Sequence, residues 1–178
     1  VEMAASHVIN QYMMLMALGL DGFAHASESL AGADWGRSYR AQFRRWVYLT
    51  GYWSLIASLA YALLFWLAGN DITALLTDIE SVRVVAAALL PLVVALPIIS
   101  VWCFLFDGVY IGATAAAAMM VTMGIAFVIY LLLLEPMTQQ WGLHGLWGAV
   151  LVFMAVRGLA QAIWYPRLER KLHPTPED

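Results

Sequence analysis

Two aspartates sit inside long apolar runs, each followed by a glycine: Leu20-Asp21-Gly22-Phe23 and Phe106-Asp107-Gly108-Val109. A carboxylate at the centre of a lipid-spanning helix costs about 3 kcal/mol to insert, and such residues normally face a bundle interior or a water-filled cavity on an ion or substrate path. Asp21 is followed by His25 and Glu28, spacings that place all three on one helical face. An acid–histidine–acid stripe suits a proton or cation pathway, because carboxylates in low dielectric can exchange protons near neutral pH and histidine does so unaided. Glu28 stands only a few residues before Asp34 and Arg37, so pairing with the arginine loop at the membrane surface is its other reading.

Asp107 is the only charged residue between Arg83 and Glu135. It reads as a cation or proton site lining a central cavity; the alternative is a turn carboxylate held by backbone amides. Arg157, in Phe153-Met154-Ala155-Val156-Arg157-Gly158, either snorkels to the cytoplasmic interface or pairs with an inward-facing carboxylate.

These residues need membrane helices to position them. The chain has 178 residues, 63% hydrophobic and 12% charged, with a mean hydropathy of +0.76. Soluble domains carry about 25% charged residues, so the expected fold class is an all-α integral membrane protein. The net charge of −3 comes with no basic cluster able to hold nucleic acid. Cys103 has no cysteine to pair with and reads as apolar filler; no metal site is expected. No nucleotide loop, HExxH or nucleophile elbow occurs, which argues against an enzyme and leaves no catalytic residues or cofactor to assign.

Hydropathy predicts five transmembrane helices, over 4–33, 46–68, 84–110, 113–134 and 141–164. The turn between the third and fourth is expected near Gly108 and Gly112, and the one after the fourth at Glu135 and Pro136. Pro91 and Pro97 fall inside the third span and should kink it. Gly142, Gly145 and Gly148 read as close helix packing. Trp46, Tyr48, Tyr52 and Trp53 open the second span, while Trp141, Trp164 and Tyr165 bracket the fifth, as interfacial anchors do.

Arg37, Arg40, Arg44 and Arg45 follow the first span; Arg167, Arg170 and Lys171 follow the last. Lys and Arg accumulate on the cytoplasmic side, so this loop and the C-terminus are expected inside, with the acidic loop of Asp71, Asp78 and Glu80 outside. Five crossings then put the N-terminus outside. Val1-Glu2-Met3 opens no signal peptide, and the chain is expected to be an internal piece of a longer protein.

Four stretches together resemble the multidrug and toxic compound extrusion (MATE) family, in its DinF-like branch. Leu20-Asp21-Gly22-Phe23-Ala24 through Glu28 to Gly32, with Gly36 and Phe43-Arg44-Arg45, is similar to the family's eighth helix and its loop. Pro97 through Phe106-Asp107-Gly108-Val109-Tyr110-Ile111-Gly112-Ala113-Thr114 is similar to the tenth helix. Gly142-Leu143-His144-Gly145-Leu146-Trp147 is similar to the start of the twelfth, and Arg157-Gly158-Leu159 leads to Tyr165-Pro166-Arg167 at its end. The resemblance implies helices eight to twelve, most of one six-helix lobe of a MATE-type antiporter, in a bacterial inner membrane. It implies export of amphipathic or cationic compounds against inward H+ or Na+, with Asp107 where sodium-coupled relatives carry a cavity acid.

Two departures from the family stand out. Thr114 is followed by four alanines and Met119-Met120 instead of charged residues. The N-terminal lobe and the seventh helix, with their coupling acids, are not in this chain, which is therefore not expected to transport alone. The alternatives are a lipid-linked oligosaccharide flippase of the same superfamily and a membrane scaffold without transport. A flippase would line its cavity with arginines, and Arg157 is the only one well inside a span.

Overall fold

A computed structural model describes residues 1–172. The described residues form four helices and no strand: α1 (Glu2–Gly36), α2 (Arg40–Leu76), α3 (Glu80–Gly112) and α4 (Ala116–Glu169). Near-continuous apolar sequence favours this class, because only a helix satisfies every backbone donor and acceptor within its own segment. By length and composition α2, α3 and α4 can each cross a membrane; α1, the most polar, is not among those three.

Of the five helices expected, the first three correspond to α1, α2 and α3, and the last two expected segments lie within the single element α4. Its 54 residues would span about 80 Å if straight, far more than a bilayer. The helix breaks at Gly142, whose φ of 54° and ψ of −126° are open to glycine but not to a residue with a Cβ. The Tyr130 and Phe153 rings lie 5.7 Å apart, although 23 residues of straight helix would separate them by about 34 Å. α4 is therefore a hairpin of two antiparallel arms, 116–141 and 143–169. A Cβ on Gly145 would fall onto the Met137 carbonyl, so the arms touch backbone to backbone just past the break. The turn expected at Glu135 and Pro136 is thus corrected to Gly142: the first arm continues through Pro136, with Thr138 Oγ1 donating to the Leu134 carbonyl at 2.6 Å.

The other links are three residues long. Arg83, in the first turn of α3, donates to the Thr77 carbonyl at 2.8 Å and the Ala74 carbonyl at 3.0 Å, satisfying groups that the end of α2 leaves open. After Gly112 the chain turns through Thr114 at φ 52°, with Ala115 N–H bonded to the Tyr110 carbonyl at 2.9 Å. This is the turn expected near Gly108 and Gly112, placed at its Gly112 end.

α3 is central, packing against α1, α2 and α4. It runs unbroken through both Pro91 and Pro97. In the turn before Pro91, where the ring leaves carbonyls short of donors, His144 Nε2 reaches the Ala88 carbonyl at 3.2 Å. One core cluster fills the half of the bundle around Tyr12, Phe65, Leu89 and Trp147. A second lies around Phe43, Tyr110 and Leu168. Beside it Arg40 Nε donates to Glu169 Oε1 at 3.1 Å, holding the α1–α2 link and the end of α4 at one end of the molecule.

Candidate functional site

Asp107 is placed by a close backbone-to-backbone crossing of α1 and α3. A Cβ on the next residue, Gly108, would land on the Ala24 carbonyl of α1, and one on Gly112 would meet the Glu28 carbonyl. The glycine after Asp107 is there for helix contact, and the alternative of a turn carboxylate falls away. Gly22, after Asp21, has nothing within 4 Å. The two Asp-Gly pairs therefore differ in kind.

Asp107 is bound on both oxygens by the second arm of α4. Arg157 Nη2 donates to Oδ2, and Gln161 Nε2 donates to Oδ1 at 2.8 Å. The Asp107 and Arg157 side chains are 17% and 13% exposed, so the pair lies largely out of solvent. Of the two readings left open for Arg157, pairing with an inward carboxylate is the one formed. Gln161 is fully buried, and its backbone carbonyl accepts from the Tyr110 hydroxyl at 2.8 Å. Two buried polar atoms here lack a partner: Arg157 Nε and Gln161 Oε1.

The α1 stripe divides. His25 Nδ1 lies 3.4 Å from Glu28 Oε2, with the His25 side chain 78% exposed and Glu28 39%. Asp21 is also exposed. Glu28 pairs with His25 and not with the arginine loop; among the described residues Arg37 instead reaches Asp34, at 3.9 Å.

Sequence reading missed three polar residues. Gln161 is the most important, and its spacing of four from Arg157 was the available signal. Glu169 and Asp34 were given no role, but both are buried. Apolar grooves flank the pair: one of about 500 Å³ is lined by Trp102, Phe106, Gly158 and Leu159 among others, and one of about 430 Å³ by Tyr52, Trp102, Phe106 and Tyr165 among others. Asp107 lines neither groove. Among the described residues no three His, Cys, Asp or Glu side chains converge as a metal-binding group. Chemically the site is a carboxylate neutralised by a guanidinium and an amide, between two helices of a lipid-facing bundle.

A bundle of long apolar helices with a largely buried charged pair between two of them defines a multi-pass membrane protein, and its sequence places it: residues 1–135 match the MatE family, to which the chain belongs. Members of that family are membrane transporters. The DNA damage-inducible protein F of Escherichia coli (strain K12) is 37% identical to this chain over 169 residues, covering 90% of the chain and 35% of that protein. The chain thus spans about a third of that relative's length. No solved structure matches it.

Proposed function

We propose that this chain supplies five membrane crossings of a secondary active exporter that expels small amphipathic or cationic compounds in exchange for inward H+ or Na+. In this reading α1, α2, α3 and the two arms of α4 each cross a bacterial inner membrane, as part of one lobe. The C-terminus is cytoplasmic and the N-terminus outside. Asp107 is the coupling acid, with Asp21 and the His25–Glu28 pair on the exposed α1 face as a route to it.

The observation that carries the proposal is the Asp107–Arg157–Gln161 cluster. A charge pair inside apolar helices is expensive to desolvate and contributes little net stability, so its presence favours a functional role. Arg157 is neutralised by Asp107, which counts against a flippase that would need the guanidinium for pyrophosphate.

The test is efflux of a fluorescent organic cation from cells lacking their own exporters, with the full-length protein and its Asp107→Asn and Asp21→Asn variants. Efflux by the parent that is reduced at least tenfold in Asp107→Asn supports the reading. Equal efflux from parent and both variants removes the coupling role.

A further inference from the structure

We infer that Arg157 and Gln161 make Asp107 a site that exchanges a proton and refuses a metal cation. The inference rests on the reading of Asp107 as the coupling acid. It begins from the two carboxylate oxygens, each already met by an N–H donor. A hard metal cation binds carboxylates through those same lone pairs and needs several further oxygen ligands around it. Here the groups facing Asp107 are a fixed guanidinium and an amide NH2. Displacing them is difficult: Gln161 is fully buried, its main chain is tied to Tyr110, and a displaced Arg157 would be left as an unpaired charge out of water.

A proton needs only one lone pair, but the acid it creates needs an acceptor. Gln161 Oε1 is buried without a partner. Half a turn of the Gln161 amide moves its NH2 away from Asp107 and brings that oxygen to face Oδ1, now a donor. The same side chain thus serves both protonation states. In the step itself a proton from water adds to Oδ1, the carboxylate charge is cancelled, Arg157 keeps its proton, and the pair passes from net zero to net positive. The other titratable groups on the elements packed against Asp107 include Asp21, His25 and Glu28 on α1 and the Cys103 thiol one turn earlier on α3. α2 carries no charged residue or histidine from Trp46 to Asn70.

The test uses the purified full-length protein and requires no transport. Thermal unfolding is titrated with sodium against N-methylglucamine as the ionic control. Wild type and Asp107→Asn should respond identically to sodium. Arg157→Met, which frees the carboxylate, should gain a sodium-dependent upward shift that disappears in Asp107→Asn/Arg157→Met. Infrared difference spectra across a pH jump should contain a carboxylic-acid C=O band that is lost in Asp107→Asn and moves to higher frequency in Gln161→Leu. A sodium response of wild type that Asp107→Asn abolishes overturns the inference. So does the absence of an Asp107 acid band, or a band that Gln161→Leu leaves unmoved. If Arg157→Met does not fold, the comparison of wild type with Asp107→Asn and the infrared bands still decide. An intact proton band with unaltered efflux in Asp107→Asn would instead sink only the coupling role.

Discussion

The same substitution at the two Asp-Gly pairs should act with opposite signs. At Gly22 an added Cβ meets nothing within 4 Å. Gly22→Ala therefore gains helix propensity and restricts the unfolded chain, worth about 0.5–1 kcal/mol of added stability. At Gly108 the new methyl would occupy the Ala24 carbonyl oxygen, with the Ala24 Cα 3.0 Å away. Those are backbone atoms and cannot rotate aside, so α1 and α3 must separate. Overpacking of this kind costs about 1–3 kcal/mol, and after the propensity gain a net loss of up to about 2.5 kcal/mol remains. At roughly 2–4 °C per kcal/mol for a domain of this size, Gly108→Ala should melt several degrees below Gly22→Ala. Thermal unfolding in detergent, followed by the fluorescence of the eight tryptophans, reads the difference. Shifts of the same sign at both positions would refute the close α1–α3 crossing that positions Asp107.

Three further outcomes are expected. In a double-mutant cycle, Asp107→Asn alone should cost about 3 kcal/mol by leaving Arg157 unpaired, and Asp107→Asn/Arg157→Met should cost at least about 1 kcal/mol less than the sum of its singles, as measured by denaturant unfolding. Thr114 holds a β-branched side chain at φ 52°; Thr114→Gly relieves that strain and should raise the melting temperature by the equivalent of about 1 kcal/mol. Glu169, 8% exposed, receives Arg40 at 3.1 Å and Arg44 at 3.9 Å. Glu169→Gln should cost about 1–2 kcal/mol and speed proteolysis of the α1–α2 link, read by limited digestion.

Much of the helical architecture was legible because lipid-facing helices are written as long apolar runs punctuated by polar links. The Gly112–Thr114 turn was visible this way, since 84–134 is too long for one crossing. The turn in α4 was not. Glu135 and Pro136 look like a helix end, yet a helix tolerates a proline when nearby groups can adjust, and the reversal depends on a positive φ at Gly142 that hydropathy does not encode. Asp107 was visible as an isolated charge, but its partners were less so. Arg157 lies 50 residues away, and only the fold chooses between its pairing with Asp107 and snorkelling. Gln161 is uncharged and its meaning depends on what faces it. Glu169 gave no signal in the sequence, because charge near a helix end is usually solvated; here it is buried and paired with Arg40 from the start of α2.

The α1–α3 seam has a mechanical consequence. Carbonyls seated against Gly108 and Gly112 act as detents: sliding one helix along the other would drive each oxygen over the next bulky residue. α1 and α3 must therefore travel as a single girder, carrying Asp21 and Asp107 together. Any stroke that parts Asp107 from Arg157 has to be made by the second arm of α4, where Gly158 sits more loosely, with Trp102 Cβ 3.2 Å from where its own Cβ would be.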